Sequence, residues 1–319
     1  MKKIILSVYV SLTFLLPVQS RENMDSLLIV FWNMENFFDY IDQGTGESDR
    51  EFSSAGSRHW TKRRFYAKCD AVAKSILWIG EKYGRMPDLI GVAEVENKNV
   101  LYRLLDYTLL RKFDYGILHY DSGDRRGIDV ALLYRKSSFE IVDSSINTPK
   151  FEGEKLPTRD ILHVKMRTAK GNILNFMINH HPSKFGGEQE SEGRRHAAMI
   201  SLKEICDSLE YENIVAMGDF NDTPDAETFA VIDDVLVNKG MELYERGEGT
   251  IRYEGKWDLI DMFLVSRELD VKTDMEICHV PFLMTWEKKH PGEKPLRTYS
   301  GPRYIRGVSD HCPIVLRLF

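Results

Sequence analysis

The chain has 319 residues, 43% of them hydrophobic and 29% charged, with a formal net charge of −6. That composition describes a soluble globular protein with a substantial core. Its acidic balance argues against a generic nucleic-acid coat, though it leaves room for a local basic groove. Four scattered cysteines, Cys69, Cys206, Cys278 and Cys312, show no Cys-x-x-Cys spacing and so speak against a zinc site.

Residues 1–20 read as a secretory leader. Lys2 and Lys3 precede a mostly apolar run from Ile4 to Val18, which ends at Val18-Gln19-Ser20. The run is short for an anchor, and the flank Arg21-Glu22-Asn23 is polar. The expected mature chain, 21–319, is one domain, exported to the periplasm or secreted. Losing Lys2 and Lys3 takes its net charge to −8. No later stretch is long enough to span a membrane, so no stable membrane insertion is expected, and the protein is expected to act as a monomer.

Ser26 to Trp32 reads as a first strand, apolar throughout and so covered on both faces. A polar loop follows from Asp42 to Arg58. Thr61 to Tyr83 carries Phe65, Cys69, Val72, Ala73, Ile76 and Leu77 on one helical stripe, closed by Gly84 and Pro87. Leu89 to Ala93 is a second buried strand ending at Glu94, and Asn97 caps the next helix. From Tyr115 the pattern turns to strands: Ile128 to Tyr134, Phe139 to Val142, Ile161 to Met166 and Ile173 to Ile178, the last two joined by a turn at 169–172. Gly186 to Gly193 reads as a loop, followed by a helix marked by Ala198, Leu202, Ile205 and Leu209. Cys69 and Cys206 fall on apolar helix faces and are expected to be buried thiols. Asn213 to Ala216 leads a strand into Met217-Gly218-Asp219-Phe220-Asn221-Asp222. A short helical region near Ala226 to Val235 and a strand from Leu259 to Val265 come next. Lys288 to Arg306 reads as a long loop, and Pro313 to Leu318 as the last strand. Helices interleave with strands, yet several neighbouring strands are joined by short turns. That pattern fits two packed sheets flanked by helices, an α+β domain.

Several apolar strands end in a polar group: Trp32 leads to Asn33, Ala93 to Glu94, Ile178 to His180 and Met217 to Asp219. Asp219 is placed to serve as general base, general acid or metal ligand, and Asn221 to donate to an oxyanion. Asp261 interrupts an otherwise apolar strand, where a carboxylate is costly unless paired, and His311 is an available partner. Asn33, Glu94 and Asp310 are oxygen ligands suited to a hard cation such as Mg²⁺. Together these groups point to metal-assisted hydrolysis of a phosphate ester.

The ordered set Trp32-Asn33, Ala93-Glu94-Val95, Asn179-His180, Gly218-Asp219-Phe220-Asn221, Ile260-Asp261 and Ser309-Asp310-His311 resembles the endonuclease/exonuclease/phosphatase superfamily, the DNase-I-like metal-dependent phosphoesterases. The resemblance covers about residues 27 to 318 and implies a four-layer α/β/β/α sandwich of two mostly antiparallel sheets. It implies that Asn33 and Glu94 bind the catalytic divalent cation with Asp310 nearby; Mg²⁺ is expected, with Mn²⁺ or Ca²⁺ as the other hard divalents. It implies that Asp219 orients the water or protonates the leaving oxygen, and that Asn221 binds a non-bridging phosphate oxygen. Asp261 would orient His311, His311 would contact the scissile phosphate, and His180 would be a second active-site histidine. Arg126 and Lys184 are expected phosphate contacts, and Asp129 an orienting partner for His180. His181 and Glu96 read as decoys one strand step away, and Glu35 and Asn36 as supporting or capping groups. The partner implied is nucleic acid or another phosphate ester. The segments around Asn33 and Glu94 look most like the exported bacterial nuclease-like branch, so a secreted endonuclease leads, ahead of a phosphatase or lipid phosphodiesterase and of a non-catalytic binding module. Four basic pairs, at 62–64, 125–126, 194–195 and 288–289, are candidates to line a phosphate groove.

Overall fold

The computed structural model describes residues 26–184, 186–209 and 213–319, without the side chains of 188–190; the leader expected over residues 1–20 lies outside them. Strand β1 (Leu27–Phe37) sets the architecture. Leu27, Ile29 and Phe31 enter one core, and Leu28, Val30 and Trp32 enter another. A strand apolar on both faces must be covered on both sides. One face meets a second sheet, and the other meets helix α1 (Lys62–Lys82).

The other strands of the two large sheets are β2 (Leu89–Val95), β3 (Tyr115–His119), β4 (Asp129–Arg135), β5 (Phe139–Asn147), β6 (Ile161–Thr168), β7 (Ile173–His180), β8 (Ile214–Asp219), β9 (Leu236–Asn238), β10 (Asp261–Ser266), β11 (Thr273–Ile277) and β12 (Ile314–Leu318). They make two six-stranded sheets, ordered β11-β12-β1-β2-β4-β3 and β9-β10-β8-β7-β6-β5. Each is antiparallel except for one central parallel pair, β1 with β2 and β7 with β8. Helices α1 and α2 (Lys98–Tyr107) cover the first sheet, and α3 (Glu188–Ser208) covers the second through Met199, Leu202, Ile205 and Cys206. This is the four-layer α+β sandwich that the resemblance implies.

Local chemistry sets the helix ends. The Thr61 side chain caps α1 by accepting from the Arg64 amide, and Asn97 caps α2 by accepting from the Val100 amide at 3.1 Å. The α1 stripe buries Phe65, Cys69, Val72, Ala73 and Ile76 as expected, but Ile79 completes it while Leu77 stays half-buried. All four cysteines are buried and unbridged.

Three expectations need correction. The loop expected over 186–193 is already helix from Glu188; Gly193 lies inside α3, where the Phe151 ring packs 3.1 Å from where a Cβ would stand. The helical region near 226–235 shrinks to one 3-10 turn, Glu227–Val231. The long loop at 288–306 contains the second strand of a hairpin, Met284–Glu287 with Gly292–Pro295, and a small hairpin at Tyr299–Tyr304. Pro and charge mask such pairings because their strands are only two to four residues long.

Gly218, beside Asp219, is a packing requirement. A Cβ there would stand 2.4 Å from the Asn179 carbonyl oxygen on the parallel neighbour β7. Gly218→Ala is expected to destabilise by about 2–3 kcal/mol in urea unfolding; a change below about 0.5 kcal/mol would contradict that close approach.

Candidate active site

The parallel pairs and their antiparallel neighbours bring seven chain segments to one edge of the sandwich. Strands β1, β2, β7 and β8 end there, and β4, β10 and β12 begin there. Within the second sheet His180, Asp219 and Asp261 stand side by side on adjacent strands, since Asp219 is the register partner of both others. Two buried carboxylates on neighbouring strands repel unless cations or donors separate them.

The separating group is His311. Its Nδ1 lies 2.8 Å from Asp261 Oδ2, and its Nε2 lies 3.9 Å from Asp219 Oδ2. Burial alone would lower the His311 pKa, but the charges of Asp261, Asp219 and Asp310 raise it well above the ordinary histidine value. The loop carrying it is pinned to β1: Ser309 Oγ donates to the Asn33 carbonyl at 2.7 Å, and Trp32 Nε1 donates to the His311 carbonyl at 2.9 Å. Thr250 Oγ1 donates to Asp261 Oδ2 at 2.5 Å.

Asp219 is itself pushed up to about 7, by burial first and then by the Asp261 charge. Its Oδ2 accepts from Asn33 Nδ2 at 3.0 Å, a bond that links the two sheets at this edge, and its Oδ1 accepts from the Asn221 amide. His180 Nε2 lies 3.6 Å from Asp219 Oδ2 and 3.9 Å from Glu94 Oε1. Burial, then the charges of Arg159 and Arg126, hold His180 well below the ordinary value, so it is neutral.

The oxygen donors on the first sheet sit on distorted backbone. Strand β1 loses register between Asn33 and Phe37, where Glu35 and Asn36 take φ of 45° and 49°. Strand β2 loses register between Ala93 and Val95, where Glu94 takes φ of 60°. Left-handed residues inside strands are costly, and such bulges re-aim side chains. Glu94 Oε2 accepts from the Asn36 amide at 2.7 Å, and Oε1 pairs with Arg126 at 2.9 Å. Burial would raise the Glu94 pKa, but the Arg126 charge and hydrogen bond bring it to about 2. Asp310 Oδ2 pairs with Arg297 at 3.2 Å. Glu35 accepts from the Thr298 amide and is pushed up to about 7, by burial and then by the Asp310 charge. Three carboxyl groups, Glu35, Glu94 and Asp310, thus gather at this edge, with Glu35 destabilised as an anion by burial first and then by Asp310. Asn33, Glu94 and Asp310, all oxygen donors beside Glu35, therefore fit a hard divalent cation. Asp219, Asp261 and His311 also offer ligand atoms within 4.8 Å of one another.

The structure thus gathers Asn33, Glu94, His180, Asp219, Asp261, Asp310 and His311 at one edge. Arg126 joins them through Glu94. Asp129 does not orient His180: its Oδ2 lies 3.1 Å from His119 Nε2 on β3, and its Oδ1 accepts from the Ser122 amide. The reason is strand neighbourhood: β4 pairs with β3, which carries His119, while His180 lies on the other sheet. Asn221 lies past the end of β8 with φ of 54°, so strand alternation does not aim it; its Nδ2 donates to the His181 carbonyl at 3.0 Å. Lys184 Nζ lies 3.7 Å from Asp222 Oδ1.

Sequence reasoning missed the supports. Buried Arg159 donates to the carbonyls of His180 and His181 and pairs with Asp124 at 3.0 Å. Buried Lys68 donates to the Glu35 carbonyl and to Thr298 Oγ1. Of the four basic pairs, Arg195 is buried against Asp222 at 2.8 Å and lines no groove.

Residues 28–319 match the sequence profile of the Endonuclease/Exonuclease/phosphatase family, and the chain belongs to that family. Its fold is that of metal-dependent phosphoesterases. Similar solved structures include an endonuclease/exonuclease/phosphatase family protein of Bacteroides thetaiotaomicron, with a TM-score of 0.59 and 17% identity over 92% of this chain and 97% of that one. A mannosyl-6-phosphatase of the same organism gives a TM-score of 0.57 at 15% identity, over 92% and 100%. TDP2 of D. rerio, complexed with single strand DNA product, gives 0.54 at 14%, over 93% and 100%. No curated protein sequence matches the chain.

The decoy His181 supplies a pH test. Its buried ring meets Phe220 edge-on, and its Nε2 has no hydrogen-bond partner. Burial, then the charges of Arg159 and Arg195, lower its pKa from 6.5 to about 3. The unfolded chain therefore binds a proton that the folded chain refuses. His181's contribution is complete above about pH 6.5 and is lost as pH falls toward about 3, at about 1.4 kcal/mol per pH unit. His181→Phe keeps the ring contact and should remove one proton from the slope of unfolding free energy against pH between 6 and 4. An unchanged slope in urea titrations would contradict the assignment.

Proposed function

We propose that the protein is a divalent-metal-dependent phosphodiester hydrolase, an exported nuclease in its leading form. The observation that carries the reading is the row His180, Asp219 and Asp261 bridged by His311 and facing Asn33, Glu94 and Asp310 across the sheet edge. When bound, a divalent cation at Asn33, Glu94 and Asp310 supplies Lewis-acid polarisation of a phosphoryl oxygen and offsets charge on the leaving oxygen.

The chain's own groups do the rest. His311, charged and held by Asp261, donates from Nε2 to a non-bridging oxygen as negative charge grows there. Asp219 Oδ2, with a pKa of about 7, takes the proton from the attacking water as the new P–O bond forms. The ester P–O bond breaks and the leaving oxygen takes its proton from solvent. Neutral His180 fixes the water on the opposite side of Asp219 Oδ2.

Room for the leaving group lies beside His311. A cleft of about 540 Å³ is lined by Asn221, Tyr253, Lys289, Arg297, Asp310 and His311 among others. Its open form supports a diester with a substituent on each side. The DNA product in the D. rerio relative supports the nuclease reading, and the mannosyl-6-phosphatase keeps a monoesterase as the second. The leader-like residues 1–20 support export.

Asp219→Ala or His311→Ala is expected to lower kcat/KM on bis-p-nitrophenyl phosphate by about 10³-fold or more. EDTA should abolish turnover and Mg²⁺ or Mn²⁺ restore it. Near-full activity in either variant would sink the site; hydrolysis of p-nitrophenyl phosphate alone, with plasmid DNA and RNA intact, would replace the nuclease by a phosphatase.

A further inference from the structure

A second cleft, of about 500 Å³, lies between the first turns of α1 and the loop that returns to β12. Arg63, Arg64, Lys68, Tyr304, Arg306 and Gly307 line it, and no carboxylate does. In a chain of net charge −6 that is an unusual concentration of one sign. The three arginines come from two segments some 240 residues apart, so folding brings them together.

Each cation is differently held. The Arg64 guanidinium lies 4.5 Å from the Tyr304 ring centre and donates to the carbonyls of Arg58 and His59 at 2.8 and 2.7 Å. It is ordered before any ligand arrives. Lys68 closes the cleft floor, its Nζ given to the Glu35 carbonyl and Thr298. Arg63 and Arg306 are exposed. Arg306 takes φ of 65°, a left-handed conformation that glycine adopts freely and arginine does not. A strained arginine facing other arginines is unfavourable for the fold twice over, through backbone conformation and through charge. An anion in the cleft offsets the second cost.

We infer that this cleft is a phosphate-binding subsite separate from the catalytic edge, taking a phosphate group either of a polymeric substrate beyond the scissile bond or of a free phosphate anion. Arginine suits that ligand because its planar fork matches phosphate oxygens. The first source rests on the nuclease reading; the second does not.

Two readouts separate the sources. Calorimetry with sodium phosphate in EDTA tests anion binding without any turnover. Kinetics on an 18-nucleotide single-stranded oligothymidylate, beside bis-p-nitrophenyl phosphate, tests the polymer. Arg63→Glu with Arg306→Glu is expected to weaken phosphate binding at least tenfold. For the oligonucleotide it should raise KM at least tenfold and flatten the salt dependence by about one to two contacts. Turnover of bis-p-nitrophenyl phosphate, which has no second phosphate, should stay within twofold. Loss of phosphate binding with unchanged oligonucleotide kinetics assigns the cleft to the free anion. Lys62→Glu, which makes one such charge reversal on a residue outside the cleft, should leave both readouts near wild type. Arg306→Gly should raise Tm while weakening phosphate binding. The inference is overturned if the double variant changes neither readout, if Lys62→Glu matches it, or if Arg306→Gly leaves phosphate affinity intact.

Discussion

Two carboxylates buried side by side, Asp219 and Asp261, are the constraint around which this edge of the molecule is built. Neighbouring strands place them as register partners, and desolvation makes their joint ionisation costly. The surroundings answer with one shared cation and a set of neutral donors. His311 spans the gap, Thr250 donates to Asp261, and Asn33 and the Asn221 amide donate to Asp219. The result is a carboxyl group poised near neutrality beside an imidazolium that stays charged. Proton exchange at one atom and charge stabilisation at another are what phosphate-ester hydrolysis requires. The same electrostatics that threaten the fold therefore provide the chemistry.

The pieces legible in the sequence were those that strand periodicity exposes. Asn33, Glu94, His180 and Asp219 follow apolar runs, and Asp261 betrays itself by interrupting one. Pairing of Asp261 with His311 was legible because a carboxylate inside an apolar strand needs a partner, and few candidates exist. Asp129 shows where such reasoning stops. It too precedes an apolar run, but only sheet membership reveals that His119, not His180, lies beside it. Sequence order carries no statement of which sheet a strand joins.

The supports were hidden for a different reason. Lys68 sits on α1 among other charged residues, and Arg159 follows a threonine before a strand; each reads as surface charge. What removes them from water is contact with backbone carbonyls, and carbonyls leave no mark on a sequence. The bulges at Asn33–Phe37 and Ala93–Val95 are equally silent, because the residues that take positive φ there are Glu35, Asn36 and Glu94 rather than glycine. Here the backbone is bent by its surroundings, which hold Glu94 between Arg126 and the Asn36 amide.

The two sheets share a plan that the sequence does not repeat. In each, a central parallel pair is flanked on both sides by antiparallel strands, in the same arrangement. Parallel neighbours end at the same edge, so each sheet delivers two strand termini there, and the antiparallel flanks add their beginnings. Division of labour follows from this geometry. The first sheet presents Asn33 and Glu94, oxygen donors on bulged backbone, while the second presents His180, Asp219 and Asp261, to which the proposed mechanism gives the proton chemistry. The Asn33–Asp219 hydrogen bond, the Arg159–Asp124 ion pair and the loop from Ser309 to His311, fastened to β1 and reaching Asp261, tie the halves together at this edge. Alignment of the oxygen donors on one sheet with the Asp/His row on the other is thus a property of how the sheets pack. The apolar layer between them, which includes Phe31, Met217 and Phe176, fixes the spacing of the two rows as surely as any polar residue does.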